Sequence, residues 1–110
     1  MDYYLLHDRP HSVIGVATVT SKFRGFIHSH AAVERYKLMH GSGVVHLGGK
    51  NLAMAAGDEI FIRSGVQHAF ISNGPFPAKL YFEFYRGPLR NIKYEYANGQ
   101  SMRPPSLIIN

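Results

Sequence analysis

The fold is decided by the stretch His28-Ser29-His30-Ala31-Ala32-Val33-Glu34-Arg35-Tyr36-Lys37-Leu38-Met39-His40-Gly41. From Glu34 onward the residue types alternate, with Arg35 and Lys37 on one side of the chain and Glu34, Tyr36 and Leu38 on the other. Because successive side chains of a strand point to opposite faces, this period of two predicts a half-buried β-strand.

Short apolar runs on both sides of this stretch repeat the strand pattern. Each run is bounded by Gly, Pro or Asn, and no segment has the 3.6-residue period of a helix. Strands at spacings of about 8–12 residues predict an all-β sandwich or barrel. The further predicted strands are residues 12–23 (with a bulge or bend at Gly15), 26–30, 44–47, 51–56, 60–62, 68–71, 80–85 and 91–96, and residues 41–43 are predicted to form a tight turn.

Composition limits the class of protein. A chain of 110 residues is expected to form one domain with one core. It has no cysteine, which excludes disulfides and thiolate metal sites. The net charge is +5, but the twelve Lys and Arg residues are scattered, so we expect no nucleic-acid partner. The opening residues do not resemble a secretory signal, and no run reaches the roughly 18 apolar residues of a membrane span. We therefore expect a cytoplasmic protein without a membrane partner.

Four side chains have the chemistry and spacing of a metal site. His28 and His30 are two residues apart, so an extended strand turns both imidazoles to one face. Glu34 keeps the same parity and offers a carboxylate. His68 follows a predicted strand and turn, and can return to the same sheet from far along the chain. Together they predict a centre of three imidazoles and one carboxylate.

The chain resembles the cupin superfamily over nearly its whole length, on two motifs of fixed spacing. The first motif is present as His28-x-His30, three residues, Glu34, six residues and Gly41. The second is present as Gly57, five residues, then Arg63-Ser64-Gly65, two residues and His68. The sequence departs from the family pattern at three non-ligand positions: Arg63 replaces the usual Pro, Ser72 the usual Asn, and Lys22 the usual Gly.

The resemblance implies a jelly-roll β-barrel, the double-stranded β-helix, with His28, His30, Glu34 and His68 as ligands of one divalent transition metal per subunit. Fe, Mn, Ni, Co, Cu and Zn all suit this ligand set. It also implies a homodimer. We expect a single cupin domain over residues 1–110 with its barrel core at about 12–86. The apolar ends, residues 3–6 and 107–109, are expected to pair with a sheet edge, within the subunit or across a dimer.

Two function classes follow from the predicted centre. The first is a metal-dependent enzyme acting on a small polar or anionic metabolite, with a slight preference for a non-haem dioxygenase or other oxidoreductase. Its alternative is a redox-neutral isomerase, lyase or cyclase in which the metal acts as a Lewis acid. That chemistry needs a base, for which the sequence candidates are Tyr36, His40 and Glu83. Tyr36 and His40 are predicted to be the catalytic residues, because each is an even number of residues from Glu34 and so shares its face of the strand. The second class is a non-catalytic cupin that binds a sugar-like small molecule.

Overall fold

The computed structural model describes residues 1–97 and 101–102. This part of the chain is built of β-strands and one short 3-10 helix, and it contains no α-helix. The strands are β1 (Asp2–Arg9), β2 (Ser12–Val19), β3 (His28–Ser29), β4 (Glu34–His40), β5 (Ser42–Leu47), β6 (Lys50–Ala55), β7 (Glu59–Ile62), β8 (His68–Ser72), β9 (Ala78–Phe84), β10 (Tyr94–Tyr96) and β11 (Ser101–Met102), and the 3-10 helix is Leu89–Asn91.

The strands form two antiparallel sheets. One has five strands in the order β1-β2-β9-β4-β7, and the other has six in the order β11-β10-β3-β8-β5-β6. Neighbours in each sheet are often distant in sequence, as expected of a jelly roll rather than a meander. The predicted all-β jelly-roll architecture, a double-stranded β-helix, is confirmed.

The core lies between the sheets and is supplied by alternate residues of the strands. In β4, the side chains of Glu34, Tyr36 and Leu38 are buried, as the alternation predicts. Arg35 points away from the core, where its guanidinium donates to Glu59 (2.6 Å) and Glu83 (3.2 Å) of the neighbouring strands. This ion-pair network lies on the outer face of the five-stranded sheet.

The alternation of β4 fails at its end. Leu38 is paired with Leu80, but the next paired residue of β4 is His40, opposite Lys79, so Met39 is an extra residue in the ladder. Such a bulge changes the face to which the following side chain points. His40 is therefore exposed instead of sharing the buried face of Glu34.

Two glycines are required by close packing inside strands. A Cβ on Gly43 would lie 2.4 Å from Cζ of Phe70 and 2.6 Å from the carbonyl oxygen of Ile71. Gly43 thus belongs to β5, and the predicted turn is confined to Gly41, which has a positive φ of 83°. A Cβ on Gly15 would lie 2.4 Å from Cζ of Phe82. The register shift expected near Gly15 occurs in β1, between Leu5 and His7.

The N-terminal segment pairs with a sheet within the chain. β1 lies antiparallel to β2 and forms an edge of the five-stranded sheet. The backbone N–H of Leu89 donates to a carboxylate oxygen of Asp8 at 2.8 Å, which connects β1 to the 3-10 helix. The apolar residues 107–109 lie outside the described residues. No helix in the described ranges has the length and apolar character needed to cross a membrane.

Candidate metal centre

Three histidines meet in the six-stranded sheet because β3 lies between β8 and β10. His28 in β3 is paired directly with His68 in β8, and His30 follows two residues after His28. One ring nitrogen from each of these three histidines lies within 4.8 Å of the other two. His30 is 3% exposed and His68 is fully buried, so the cluster is largely shielded from water.

Each imidazole is oriented by a backbone carbonyl. Nδ1 of His28, His30 and His68 lies 2.8 Å from the carbonyl oxygen of Phe26, Ala32 and Val66, respectively. A carbonyl oxygen only accepts, so Nδ1 of each ring is the protonated nitrogen that donates. The lone pair is therefore on Nε2 in the neutral ring, which is the arrangement that metal-binding histidines usually have.

Glu34 brings a carboxylate to the same place. Its Oε1 lies 3.0 Å from Nε2 of His30 and 3.4 Å from Nε2 of His68, and the residue is 3% exposed. Burial by itself raises the pKa of Glu34, but hydrogen bonding and charge interactions with the two histidines outweigh it and lower this pKa. The site therefore contains a buried carboxylate anion.

This donor set fits a divalent transition metal. Nδ1 of His30 already donates, so a bond from its Nε2 to Glu34 needs a second ring proton, whereas a cation satisfies both groups without one. Two ligand atoms that are each about 2.1 Å from one ion lie about 3.0 Å apart if the angle at the ion is 90°, and about 3.4 Å apart if it is tetrahedral. The distances from Oε1 of Glu34 to Nε2 of His30 and of His68 are 3.0 Å and 3.4 Å. In the described part of the chain, Nε2 of His68 has only a long polar contact, 3.4 Å from Oε1 of Glu34.

His28 is also disposed to stay neutral. Burial, and then the neighbouring His68, lowers the pKa of His28 to about 4, against the partly opposing effects of Phe26 and Glu34. A neutral imidazole is the form that binds a metal ion. His28 is thus in its ligand form near neutral pH without competition from protons.

Two tyrosines that we did not predict complete the walls of the centre. Tyr94 stacks on His28, with ring centroids 4.7 Å apart and planes 4° apart, and Tyr96 lies 5.8 Å from His28. Both are presented by β10, which pairs with β3. The alternation of Tyr94 and Tyr96 around Glu95 is a sequence signal for a strand with both tyrosines on one face. It does not indicate that this strand pairs with β3, because that pairing is set by the tertiary fold.

A cavity of about 150 Å³ opens beside the centre. Its walls come from both sheets and are mostly aromatic or aliphatic, while His28, Glu34 and several tyrosines supply the polar atoms. Tyr36 lines the cavity, with its ring 6.0 Å from that of His68. Burial, and then the charge of Glu34, raises the pKa of Tyr36 well above its usual value. Its hydroxyl is therefore protonated and can donate.

The structure separates the other candidates from this centre. His40 is exposed after the bulge of β4 and does not line the cavity. Glu83 lies on the outer face of β9, where it accepts from Arg35. His46 bonds to Asn51 on the far side of the six-stranded sheet, through Nδ1 at 2.9 Å from Oδ1. Of the three sequence candidates for a base, Tyr36, His40 and Glu83, only Tyr36 lines the cavity.

The fold and this site define a class of protein: a small double-stranded β-helix with a buried histidine cluster inside its barrel. The family model for the cupin domain matches residues 17–84. The chain belongs to the cupin family, as its two motifs predicted.

Solved structures share this fold. A double-stranded β-helix protein from Klebsiella pneumoniae has a TM-score of 0.76 at 20% identity, with 87% of this chain and 84% of that chain covered. An RmlC-like cupin from Shewanella frigidimarina has a TM-score of 0.72 at 19% identity, with coverage of 77% and 75%. The DMSP lyase DddQ from Ruegeria pomeroyi has a TM-score of 0.70 at 22% identity, with 81% of this chain but 48% of that chain covered. No functionally curated protein sequence gives a significant match.

Proposed function

We propose that His28, His30, Glu34 and His68 bind one divalent transition metal ion, and that the protein is a metal-dependent enzyme acting on a small molecule in the adjoining cavity. One observation carries this proposal. Three imidazoles, each fixed through Nδ1, turn their Nε2 atoms into one buried place at a cavity wall, next to a buried carboxylate. A purely structural role leaves unexplained why the buried Nε2 of His68 has no polar partner among the described residues closer than Glu34 at 3.4 Å.

The first candidate reaction is an oxidation by dioxygen. His28, His30, Glu34 and His68 would hold the ion, and the ion would supply the redox chemistry for a substrate bound in the adjoining cavity. The cavity supports this choice because its described lining holds no carboxylate other than Glu34. Tyr36, the remaining sequence candidate for a base, has a raised pKa and holds its proton.

A redox-neutral lyase, isomerase or cyclase is the second candidate, with the ion as Lewis acid. The observation that favours it is Tyr36, a protonated phenol in the cavity wall that can deliver a proton to a departing or newly formed group. One structural neighbour is described as a lyase, DMSP lyase. At 22% identity that likeness concerns the fold, so the chemistry of this chain needs its own test.

The deciding experiment is the metal content of the purified protein, measured by mass spectrometry without added metal and after reconstitution. We expect about one ion per chain in the wild type and less than about a tenth of that in His68→Ala. His46→Ala is the matched control, because His46 lies in the neighbouring strand β5 and outside the centre. Its metal content is expected to equal that of the wild type.

The identity of the metal then selects the assay. Iron directs the search to oxygen consumption, whereas zinc, nickel or manganese directs it to redox-neutral conversions. No metal in the wild type after reconstitution would overturn the proposal. Stoichiometric metal without turnover would favour the non-catalytic binding protein. The homodimer and the cytoplasmic location stay predictions of the sequence.

A further inference from the structure

The cavity beside the histidines has aromatic walls. Its described lining includes the phenylalanines of both sheets and of the loop before β3, that is Phe23, Phe26, Phe70, Phe82 and Phe84. Tyr94 and Tyr96 extend this wall to His28. Phe26 is 81% exposed and lies edge-on to Tyr96 at 6.4 Å, which puts these two rings at the mouth.

The charge of the lining is as informative as its shape. No lysine or arginine is among the described residues that line the cavity, and Glu34 is the only acidic residue there. A sugar acid or a phosphate ester would therefore find no cationic side chain, and most of its polar atoms would lie against phenyl rings. Because burying unpaired polar groups is unfavourable, the lining favours a ligand whose body is apolar and whose polar atoms are confined to the end at His28 and Glu34.

The volume limits the size of that body. A cavity of about 150 Å³ lined by Leu, Ile and Phe holds a benzene ring in a well-studied engineered protein. The cavity here has the same volume, about 150 Å³, and most of its lining is aromatic or aliphatic, although it also contains His28, Glu34 and tyrosine hydroxyls. Its walls also present rings edge to face, as Phe82 does to Phe84 at 5.8 Å and 68°. Such pairs favour a further aromatic ring over an aliphatic ring of equal size.

We propose that the cavity binds a molecule built on a single six-membered aromatic ring, with an oxygen donor at the end that faces His28 and Glu34. Only the oxygen donor of this ligand rests on the proposed function, because the donor is expected to bind the metal. The aromatic walls are expected to bind the ring whether or not a metal is present. Ring binding and metal binding are therefore separable.

The test measures ring binding to metal-stripped protein by saturation-transfer NMR titration, with phenol, cyclohexanol and glucuronate as probes. We expect saturable binding of phenol, binding of cyclohexanol weaker by about threefold or more, and no saturable binding of glucuronate. In metal-loaded protein, catechol is expected to bind more than about tenfold tighter than phenol, because two neighbouring oxygens can reach the ion.

Variants place the ring and separate the two proposals. Ala17 lines the cavity, so Ala17→Leu should weaken phenol binding by more than about tenfold while metal content stays at one ion. Ala53→Leu is the matched control on the exposed face of β6 and should bind phenol as the wild type does. Conversely, His68→Ala should lose the metal and keep phenol affinity within about twofold. Leu80→Phe also places a larger side chain in the cavity. It replaces Ala17→Leu in the test if thermal unfolding shows that Ala17→Leu is unfolded.

The outcomes discriminate as follows. Saturable glucuronate binding without phenol binding would overturn the aromatic class, as would equal affinities for phenol and cyclohexanol. Unchanged phenol binding in both filled variants would overturn the location. If the wild type binds phenol and takes up no metal, the proposed metal-dependent function fails and the ring site stands.

Discussion

The phenol ring of Tyr94 lies parallel to the imidazole of His28, with 4.7 Å between centroids and 4° between planes. A second constraint on this imidazole is the hydrogen bond from Nδ1 to the carbonyl oxygen of Phe26. Together the two contacts fix both the tilt and the rotation of the ring. A residue near the C-terminus therefore orients a metal-ligand candidate in the first third of the chain.

Replacing Tyr94 tests this orientation. We expect Tyr94→Ala to weaken metal binding about tenfold, because the His28 ring becomes free to change its orientation. This is the lower end of the range found when a group that orients a metal ligand is removed. Tyr94→Phe keeps the stacked ring and should bind metal as the wild type does. Competition with a chromophoric chelator measures both affinities. Equal losses in the two variants would assign the effect to the hydroxyl instead of the ring.

Glu34→Gln tests whether the carboxylate belongs to the ligand set. The amide has the same shape but no charge, so we expect metal affinity to fall by more than about tenfold. Glu59→Gln serves as the control, since Glu59 accepts from Arg35 on the outer face of the sheet. The same chelator competition reads out both variants. Wild-type affinity in Glu34→Gln would reduce the centre to three histidines.

Gly43→Ala tests the close packing of β5 against β8. The added Cβ would lie 2.6 Å from the carbonyl oxygen of Ile71, which cannot move without its strand, so we expect a loss of about 1–3 kcal/mol of unfolding free energy. Gly49 is the comparison, because it has a positive φ of 86° and no atom within 4 Å of an added Cβ. Alanine at this position would strain the backbone without causing a steric clash. Urea unfolding should show a smaller loss, about 1 kcal/mol, for Gly49→Ala. The reverse order would contradict the packing argument.

Alkaline pH is expected to destabilise the protein. Burial, and then the charge of Asp8, raises the pKa of Tyr3 to about 12 from 10.0. The folded state thus favours the neutral phenol, and this contribution is complete below about pH 10. The unfolded chain releases its proton first as pH rises, so stability falls between about pH 10 and 12. The raised pKa values of Tyr36 and Tyr94 act in the same direction.

Urea unfolding of metal-free protein at pH 9, 10 and 11 measures this loss. Tyr3→Phe has no group to titrate at this position, so its decline over the same range should be shallower than that of the wild type. Parallel declines in the two proteins would show that Tyr3 contributes nothing to the pH dependence.

The alternation of charged and apolar residues was sufficient to predict β4 and its buried face, including Tyr36 in the cavity wall. It did not predict where β2, β3 and β10 begin and end. It was not sufficient at His40, because the bulge at Met39 is set by the pairing of β4 with β9. Likewise, Gly43 suggested a turn, whereas its lack of a side chain makes room for Phe70 across the sheet. Local patterns predict the faces of strands, and partner strands decide their irregularities.

The proximity of the three histidines was predictable because the motif spacings are fixed along the chain, and the structure clusters them, with Glu34 beside His30 and His68. The roles of Tyr94 and Tyr96 were not, since no local pattern states that β10 lies beside β3. The aromatic character of the cavity was missed for a related reason. Phe70 and Phe82 are far apart in sequence, and only the packing of the two sheets shows that both face one small space.

Strand β3 consists of only His28 and Ser29, and it meets β8 through one residue pair, His28 with His68. A junction of one residue pair opens more readily than the long ladder of β2 and β9. An ion shared by His28 and His68 would cross-link this seam. We then expect ion release to follow the opening rate of β3, while the barrel around it stays folded. Loading should slow amide hydrogen exchange in β3 and β10 and leave that of β2 unchanged.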